Sequence, residues 1–416
     1  MFSHIAAGLN APDSEGSGAP VESTPAKSRQ QLLILYLAML ATRAGFGSVL
    51  LLFPMYLGVG SFGVGIALSA YPLAEFVSAA PIGRYVDLKG RRRTLVMGLL
   101  SVSLLTMSIS LTRNPYAVSV IHGIMGFSGA AVTVSSLTMI TDLTRVSNRG
   151  VGMGGFDFSN IMGYAAGIVF ATSILHFTGS HYAFAFIATG ILLLSAGIAT
   201  LIWVRETIHI STHQHHHPLV ALDQNTRAVL PVWFGLTTIL GVVFVLPRSL
   251  SELGLGSSQI GLTLGLGAFG LGMGSVLFGR VSDKIGRGKT LGIGVAGLTV
   301  LLFSALEAVA NTPSRIQPAE LFILGVAAFL ATATVPSALA YVGDKSDRDL
   351  RGSAMGIYSM MLSLGMAIGN LLGGYSMRVG GLRTILEASA VVLLLSLSAT
   401  VALAYRAGAL TLRKNR

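Results

Sequence analysis

The sequence predicts an all-α membrane protein with twelve transmembrane helices, arranged as two parallel six-helix repeats. Three observations carry this expectation. First, hydrophobic residues make up 52% of the 416 and charged residues only 11%. A soluble domain carries about 25% charged residues, so this chain cannot clothe itself in a water-compatible surface. Second, twelve runs have the roughly 20 apolar residues that a spanning helix requires: 31–57, 62–83, 94–112, 116–141, 151–175, 182–204, 229–247, 259–279, 290–310, 319–342, 353–376 and 385–405. They are too long and too evenly apolar for barrel strands, which alternate over about ten residues. Third, one set of Gly, Asp and Arg positions occurs twice in the same order.

The repeat is read residue by residue. Gly83, Asp87, Gly90 and Arg91 match Gly279, Asp283, Gly286 and Arg287 at an offset of 196. Asp142, Arg149, Gly150 and Gly154 match Asp344, Arg351, Gly352 and Gly356 at an offset of 202, and Gly163 and Gly167 match Gly365 and Gly369. The charged connectors follow spans 2 and 8. An even separation gives both copies the same orientation, which is the parallel-repeat plan of transporters. The expected organisation is a disordered cytoplasmic tail (1–30), a first half (31–204), a cytoplasmic linker (205–228), a second half (229–405) and a basic cytoplasmic tail (406–416).

The net charge of +11 is topological. With twelve spans both termini share a face. That face holds 22 Lys and Arg residues and the opposite face 5, with Arg43 inside a span. Positive charge marks the cytoplasmic side, which places the termini and both connectors in the cytoplasm of a multi-pass plasma membrane protein, here a prokaryotic cytoplasmic membrane. Basicity of this kind calls for no nucleic-acid partner. The first 30 residues lack the apolar core of a cleavable signal peptide. Without cysteine there is neither disulfide nor thiolate chemistry.

The connector GRYVDLKGRRR (83–93) has a physical logic. Gly83 lets a neighbouring helix approach the end of span 2, and Gly90 permits the turn into span 3. Asp87 is an anion suited to a helix N-terminus or an arginine partner, and Arg91, Arg92 and Arg93 suit carboxylates or lipid headgroups. The pattern G-x-x-x-D-x-x-G-R-R-R after span 2, with a weaker copy after span 8, resembles motif A of the major facilitator superfamily, and the resemblance extends over all twelve spans. It implies a secondary transporter in which residues 31–204 rock against 229–405 around a central site. It further implies that Asp87 faces the start of span 11 and Arg91 pairs with Asp142, latching the cytoplasmic side shut. Asp142 and Arg149, at the cytoplasmic ends of spans 4 and 5, are candidates for the same network by position, and Asp344 and Arg351 are their counterparts in the repeat. Rocking of the halves breaks these contacts, so each is expected to contribute modestly, as exposed pairs are worth only about 0–1 kcal/mol.

Three charges fall well inside spans: Arg43, Glu75 and Asp157. Each costs about 2.5–3.5 kcal/mol at a helix centre, so each is expected to face a cavity or a partner. Arg43 lies about 18 Å into span 1 at 1.5 Å per residue. Two readings are open: Arg43 as a substrate or counter-charge residue with Glu75 or Asp157 carrying protons, or a permanent structural pair. Asp157, in GGFDFSN, is also read as a gate residue near the cytoplasmic end, and Asn160 follows it on nearly the same face. His122, in VIHGIMG, occupies the arginine position of motif B of the superfamily's drug antiporters, with Gly126 as its glycine; it is either a coupling residue or a packed polar one. Gly163 to Gly167 keeps only half of their motif C.

GLGAFG (265–270) matches a dinucleotide fingerprint, but that motif needs a strand and a soluble βαβ unit; with Gly261, Gly272 and Gly274 it reads as a helix-packing face. Five histidines in 209–217 read as a polar linker. No cofactor, metal or catalytic constellation is expected, and the chain is not an enzyme. The favoured function is proton-coupled export of small organic molecules or drugs by a monomer in the lipid bilayer. Import of an anionic metabolite is the alternative, and a non-transporting receptor the remote one.

Overall fold

A computed structural model describes residues 25–57, 61–179, 181–207, 224–243, 257–311 and 318–414. The histidines of 209–217, Arg248, Glu252 and Arg315 lie outside the described residues. Those residues form helices α1 (Pro25–Tyr56), α2 (Ser61–Lys89), α3 (Arg91–Ser108), α4 (Pro115–Leu143), α5 (Arg149–Phe177), α6 (Tyr182–Trp203), α7 (Gln224–Val243), α8 (Ser257–Ile285), α9 (Arg287–Asn311), α10 (Pro318–Ala331), α11 (Thr334–Lys345) and α12 (Arg351–Lys414), and no strand among them. The correspondence with the twelve runs has two departures. Span 10 is interrupted at Thr332 and Ala333, between α10 and α11, and spans 11 and 12 run together as α12. The chain reverses within α12 at Gly380 and Gly381, and Gly381 takes φ 63°, where a side chain would be strained. Among the described residues, eight helical stretches are long and apolar enough to cross a membrane, the last of them, Arg351–Arg406, long enough for two crossings. Leu104, Val169 and Phe322 stand exposed on their outer faces, as expected where the solvent is lipid.

The halves close on one face. α2 packs along the first part of α12, and α8 packs along α5, so the two inter-half seams are related by the sequence repeat. Helices α1, α5 and α7 begin, and α2, α4 and α11 end, at the face that carries the connectors, here termed the basic face. The largest buried apolar cluster lies there and draws on both halves, with Leu35, Val86, Leu137 and Met153 from the first and Trp233, Leu339 and Tyr358 from the second. Toward the other face the clusters belong to single halves: Val49, Phe53, Tyr56 and Phe186 in the first, Ile239, Leu302 and Leu393 in the second. The halves are therefore welded at the basic end and separately packed at the other.

Small residues set these seams. A Cβ at Gly83 would overlap the carbonyl oxygen of Gly352, and one at Gly279 would overlap that of Gly150. Within each half the repeated glycines do the same work: Gly163 and Gly167 admit α1 against α5, and Gly365 and Gly369 admit α7 against α12. The packing face expected in α8 is narrower than its glycine count: Gly272 meets Phe158 and Gly274 meets Thr332, whereas Gly267 and Gly270 face open space. A Gly83→Val substitution is expected to hold the basic end apart, seen as loss of cross-linking between cysteines placed on α2 and α12, with assembly of each half unchanged.

Candidate functional site

The connectors build two latches related by the repeat. At the first, Asp87 near the end of α2 accepts hydrogen bonds from the backbone N–H groups of Gly352 and Ser353, both at 2.7 Å, and from Ser353 Oγ at 2.8 Å. It thus satisfies the free N–H groups that begin α12, where the helix dipole also favours an anion. At the second, Asp283 of α8 accepts from the N–H groups of Gly150 at 2.8 Å and Val151 at 2.9 Å, which begin α5. Gly90 and Gly286 turn the chain between each aspartate and its arginine, with φ of 100° and 99°.

Around each aspartate runs a triad that crosses between the halves. Asp142 at the end of α4 pairs with Arg91 of its own half at 2.7 Å and with Arg351 of the other at 2.9 Å. Its counterpart Asp344 pairs with Arg287 of its own half at 2.8 Å and with Arg149 of the other. The expected contacts of Asp87 with the start of span 11 and of Arg91 with Asp142 are both present. The exposed-pair magnitude does not apply, because Arg91 and Asp142 side chains are 0% and 2% exposed. A buried pair is costly to break, as the charge left behind has no water to turn to. Burial pushes the Asp87 carboxyl up to about 6, against the pull of the Ser353 and Gly352 groups and of Arg91.

Sequence reasoning missed the support of the first latch by the residues after α6. Glu206 accepts from the N–H groups of Arg91 at 3.1 Å and Arg92 at 3.0 Å, capping α3, and Thr207 Oγ1 donates to Asp142 at 2.8 Å. A Cβ at Gly90 would run into Glu206, whereas nothing lies near Gly286. The only signal was an acid closing span 6 on the same face as the connector.

Deeper in the first half, the structure brings together three of the five expected intramembrane residues, Arg43, Glu75 and Asn160. Arg43 of α1 donates from Nε to Asn160 Oδ1 of α5 at 2.8 Å and from Nη2 to Thr133 Oγ1 of α4 at 3.4 Å. Thr133 donates in turn to Glu75 Oε1 of α2 at 3.3 Å. The arginine and the acid are thus joined through a threonine and not by a direct bridge. Arg43 also lies over the Tyr164 ring, 5.8 Å from its centre. Both charges are 4% exposed. All these partners belong to the first half, although Ser363 of α12 approaches Glu75 without a well-formed hydrogen bond.

Asp157 is not part of that group. It faces the second half, where Ser275 of α8 lies 2.5 Å from its Oδ2. His122 stands apart from both, fully buried among Phe46, Phe53 and Tyr71, with Nδ1 2.8 Å from the Ala67 carbonyl. Among the described residues no group of His, Asp and Glu could hold a metal ion.

Comparison with known proteins agrees with this architecture. The family model for the Major Facilitator Superfamily matches residues 32–247 and again 228–414, which is the doubled unit read in the sequence. The inner membrane transport protein YajR of Escherichia coli is 27% identical over 326 residues, covering 75% of this chain and 68% of that protein. Multidrug resistance protein 2 of Bacillus subtilis is 23% identical over 355 residues, covering 79% and 84%. The crystal structure of the human organic anion transporter MFSD10 superposes with a TM-score of 0.76 at 17% identity, covering 90% of this chain and 99% of that one, a likeness of fold. Two half-chain matches, a repeated latch and twelve spans converge: this chain is a transporter belonging to the Major Facilitator Superfamily and not an enzyme.

Proposed function

We propose that the chain works by alternating access and exports small organic molecules in exchange for protons, with the basic face and both termini in the cytoplasm. The observation that carries this reading is the pair of latches. Each latch is tied to the other half through its aspartate at a helix start and through an arginine–aspartate pair, so a rocking motion of the halves breaks both together and opens the basic face. The interior then changes sides without any path through the bilayer. Arg43, Glu75, Asp157, Asn160 and His122 are the candidate substrate and coupling residues. The similarity to a multidrug resistance protein supports export of organic molecules.

A second reading is favoured by one feature. A buried arginine over an aromatic ring suits a carboxylate, so Arg43 also fits an importer of an anionic metabolite. Purified protein in liposomes with an internal pH dye separates the two. Under an imposed pH gradient, addition of a lipophilic cation is expected to drive protons opposite to the cargo. Proton movement together with an organic acid would replace the proposal by the second reading. No proton response to either class, with labelled cargo still moving, would reject proton coupling.

A further inference from the structure

Of the two acids buried inside the spans, only Asp157 forms a hydrogen bond across a seam between the halves. Glu75 is hydrogen-bonded within the first half by Thr133, which also serves Arg43, and the hydroxyl of Ser363 that approaches it from α12 forms no hydrogen bond. Asp157 instead meets Ser275 across the α5–α8 seam, the same seam that the Asp283 latch closes at the basic end. Val151, Phe158 and Val276 form a buried apolar cluster beside it. Closure thus shuts Asp157 into an apolar wall, 8% exposed.

The chemistry around Asp157 is that of a neutral carboxylic acid. Among the described residues, the titratable groups facing it carry no positive charge to balance an anion. From α12 the phenol of Tyr358 is within electrostatic reach, fully buried, and its hydroxyl has no hydrogen-bond partner. On α1, Tyr36 gives its hydroxyl hydrogen to the Gly152 carbonyl, and Arg43 is turned to Asn160. α11, also packed on α5, brings Tyr341 nearer its basic end. Ser275 has one hydrogen and two acceptors, Asp157 Oδ2 at 2.5 Å and the Leu271 carbonyl at 3.2 Å. Both contacts are satisfied when Asp157 carries the proton and donates to Ser275, which then donates to Leu271. An ionised Asp157 would leave a buried anion with a single hydroxyl donor, which is unfavourable.

We propose that Asp157 is the proton-coupling residue, and that in the absence of cargo the α5–α8 seam closes at the basic face only over a protonated Asp157–Ser275 pair, whereas with Asp157 ionised it closes only when cargo is bound. Opening the seam admits water, the Asp157 O–H bond breaks, and the proton passes to that water. The ionised, empty carrier does not reclose, which makes exchange obligatory. This deepens the exchange proposed above and rests on it. Glu75 is the counter-charge of Arg43 and a positioning residue.

Because the chain has no cysteine, a distance reporter is simple to install. Arg93→Cys on α3 and Lys289→Cys on α9 are exposed, on opposite halves, at the basic face; spin labels there read its opening in liposomes without any cargo. In the parent the open-to-closed ratio is expected to rise with pH, by up to about tenfold per pH unit within the titration window. Asp157→Asn, which mimics the protonated acid, is expected to stay closed from pH 5 to 8. Glu75→Gln is expected to keep the response. Ser275→Ala, a milder change, is expected to shift the midpoint by removing the partner of the proton. An Asp157→Asn protein that still opens as pH rises would assign the response to the latch carboxylates Asp87 and Asp283, and would overturn the proposal. Loss of the response in Glu75→Gln alone would overturn it equally. A pH-driven seam without proton flux in the liposome assay rejects exchange but leaves the seam switch standing; flux that Asp157→Asn does not alter does the reverse.

Discussion

Replacing Asp87 by asparagine is expected to slow transport by about a hundredfold or more while the chain still inserts and assembles. The carboxylate accepts three hydrogen bonds from Gly352 and Ser353, and hydrogen bonds to a charged group contribute about 1.5–3 kcal/mol each. Asparagine keeps one acceptor oxygen and turns an NH2 toward an N–H donor, so at least one bond is lost and one repulsion gained. A change of about 3 kcal/mol in the closed state corresponds to roughly a hundredfold in the open-to-closed ratio. The loss falls on conformational cycling, because each half keeps its own glycine-packed interior. The measurements are initial transport rate and the Arg93–Lys289 label distance. Normal turnover with an unchanged distance distribution would sink the latch. Asp283→Asn is expected to behave alike, since it caps the start of α5 in the same manner.

Arg43→Ala is the second large effect. Removing the guanidinium leaves Asn160 Oδ1 and Thr133 without their donor and Glu75 without its counter-charge in a region where water cannot replace them. Breaking a buried charge pair by removing one partner costs about 3–5 kcal/mol. Loss of transport by itself would not distinguish a cargo residue from a structural one. The double substitution Arg43→Ala with Glu75→Gln does so, as neighbouring sites couple and the deviation from additivity is the observable. Under the substrate reading the double variant regains thermal stability but not transport. Recovery of both would make the pair purely structural and remove Arg43 from the cargo site.

Much of this protein was legible in one dimension because the bilayer imposes a one-dimensional rule. A span of about 20 apolar residues is required whatever its neighbours are, so the twelve crossings and the asymmetry of basic residues were read from local sequence. The doubled connector was legible for a related reason. Gly90 and Gly286 sit at positive φ, and Gly83 and Gly279 sit where any side chain would strike a carbonyl; such positions tolerate few residues, so the pattern is visible without structure. The break inside span 10 at Thr332 and Ala333 and the support given by Glu206 were not legible. Neither interrupts an apolar run nor belongs to a repeated pattern.

What the sequence by itself determined is the solvent, the number of spans, the doubling and the repeated Gly, Asp and Arg positions of the connectors. What only the tertiary structure decided is which half each charge answers to. Sequence spacing sets the depth of a residue along a helix axis and, through the helical period, its rough direction, but not which helix stands opposite. Arg43, Glu75 and Asp157 look alike as single charges in apolar runs. Packing joins the first two through Thr133 inside one half and sets the third against Ser275 of the other. Arg149 and Arg351, alike in sequence, reach across to Asp344 and Asp142 for the same reason: the two halves are brought together by surface complementarity at the seams, a property of paired helices that no single segment contains.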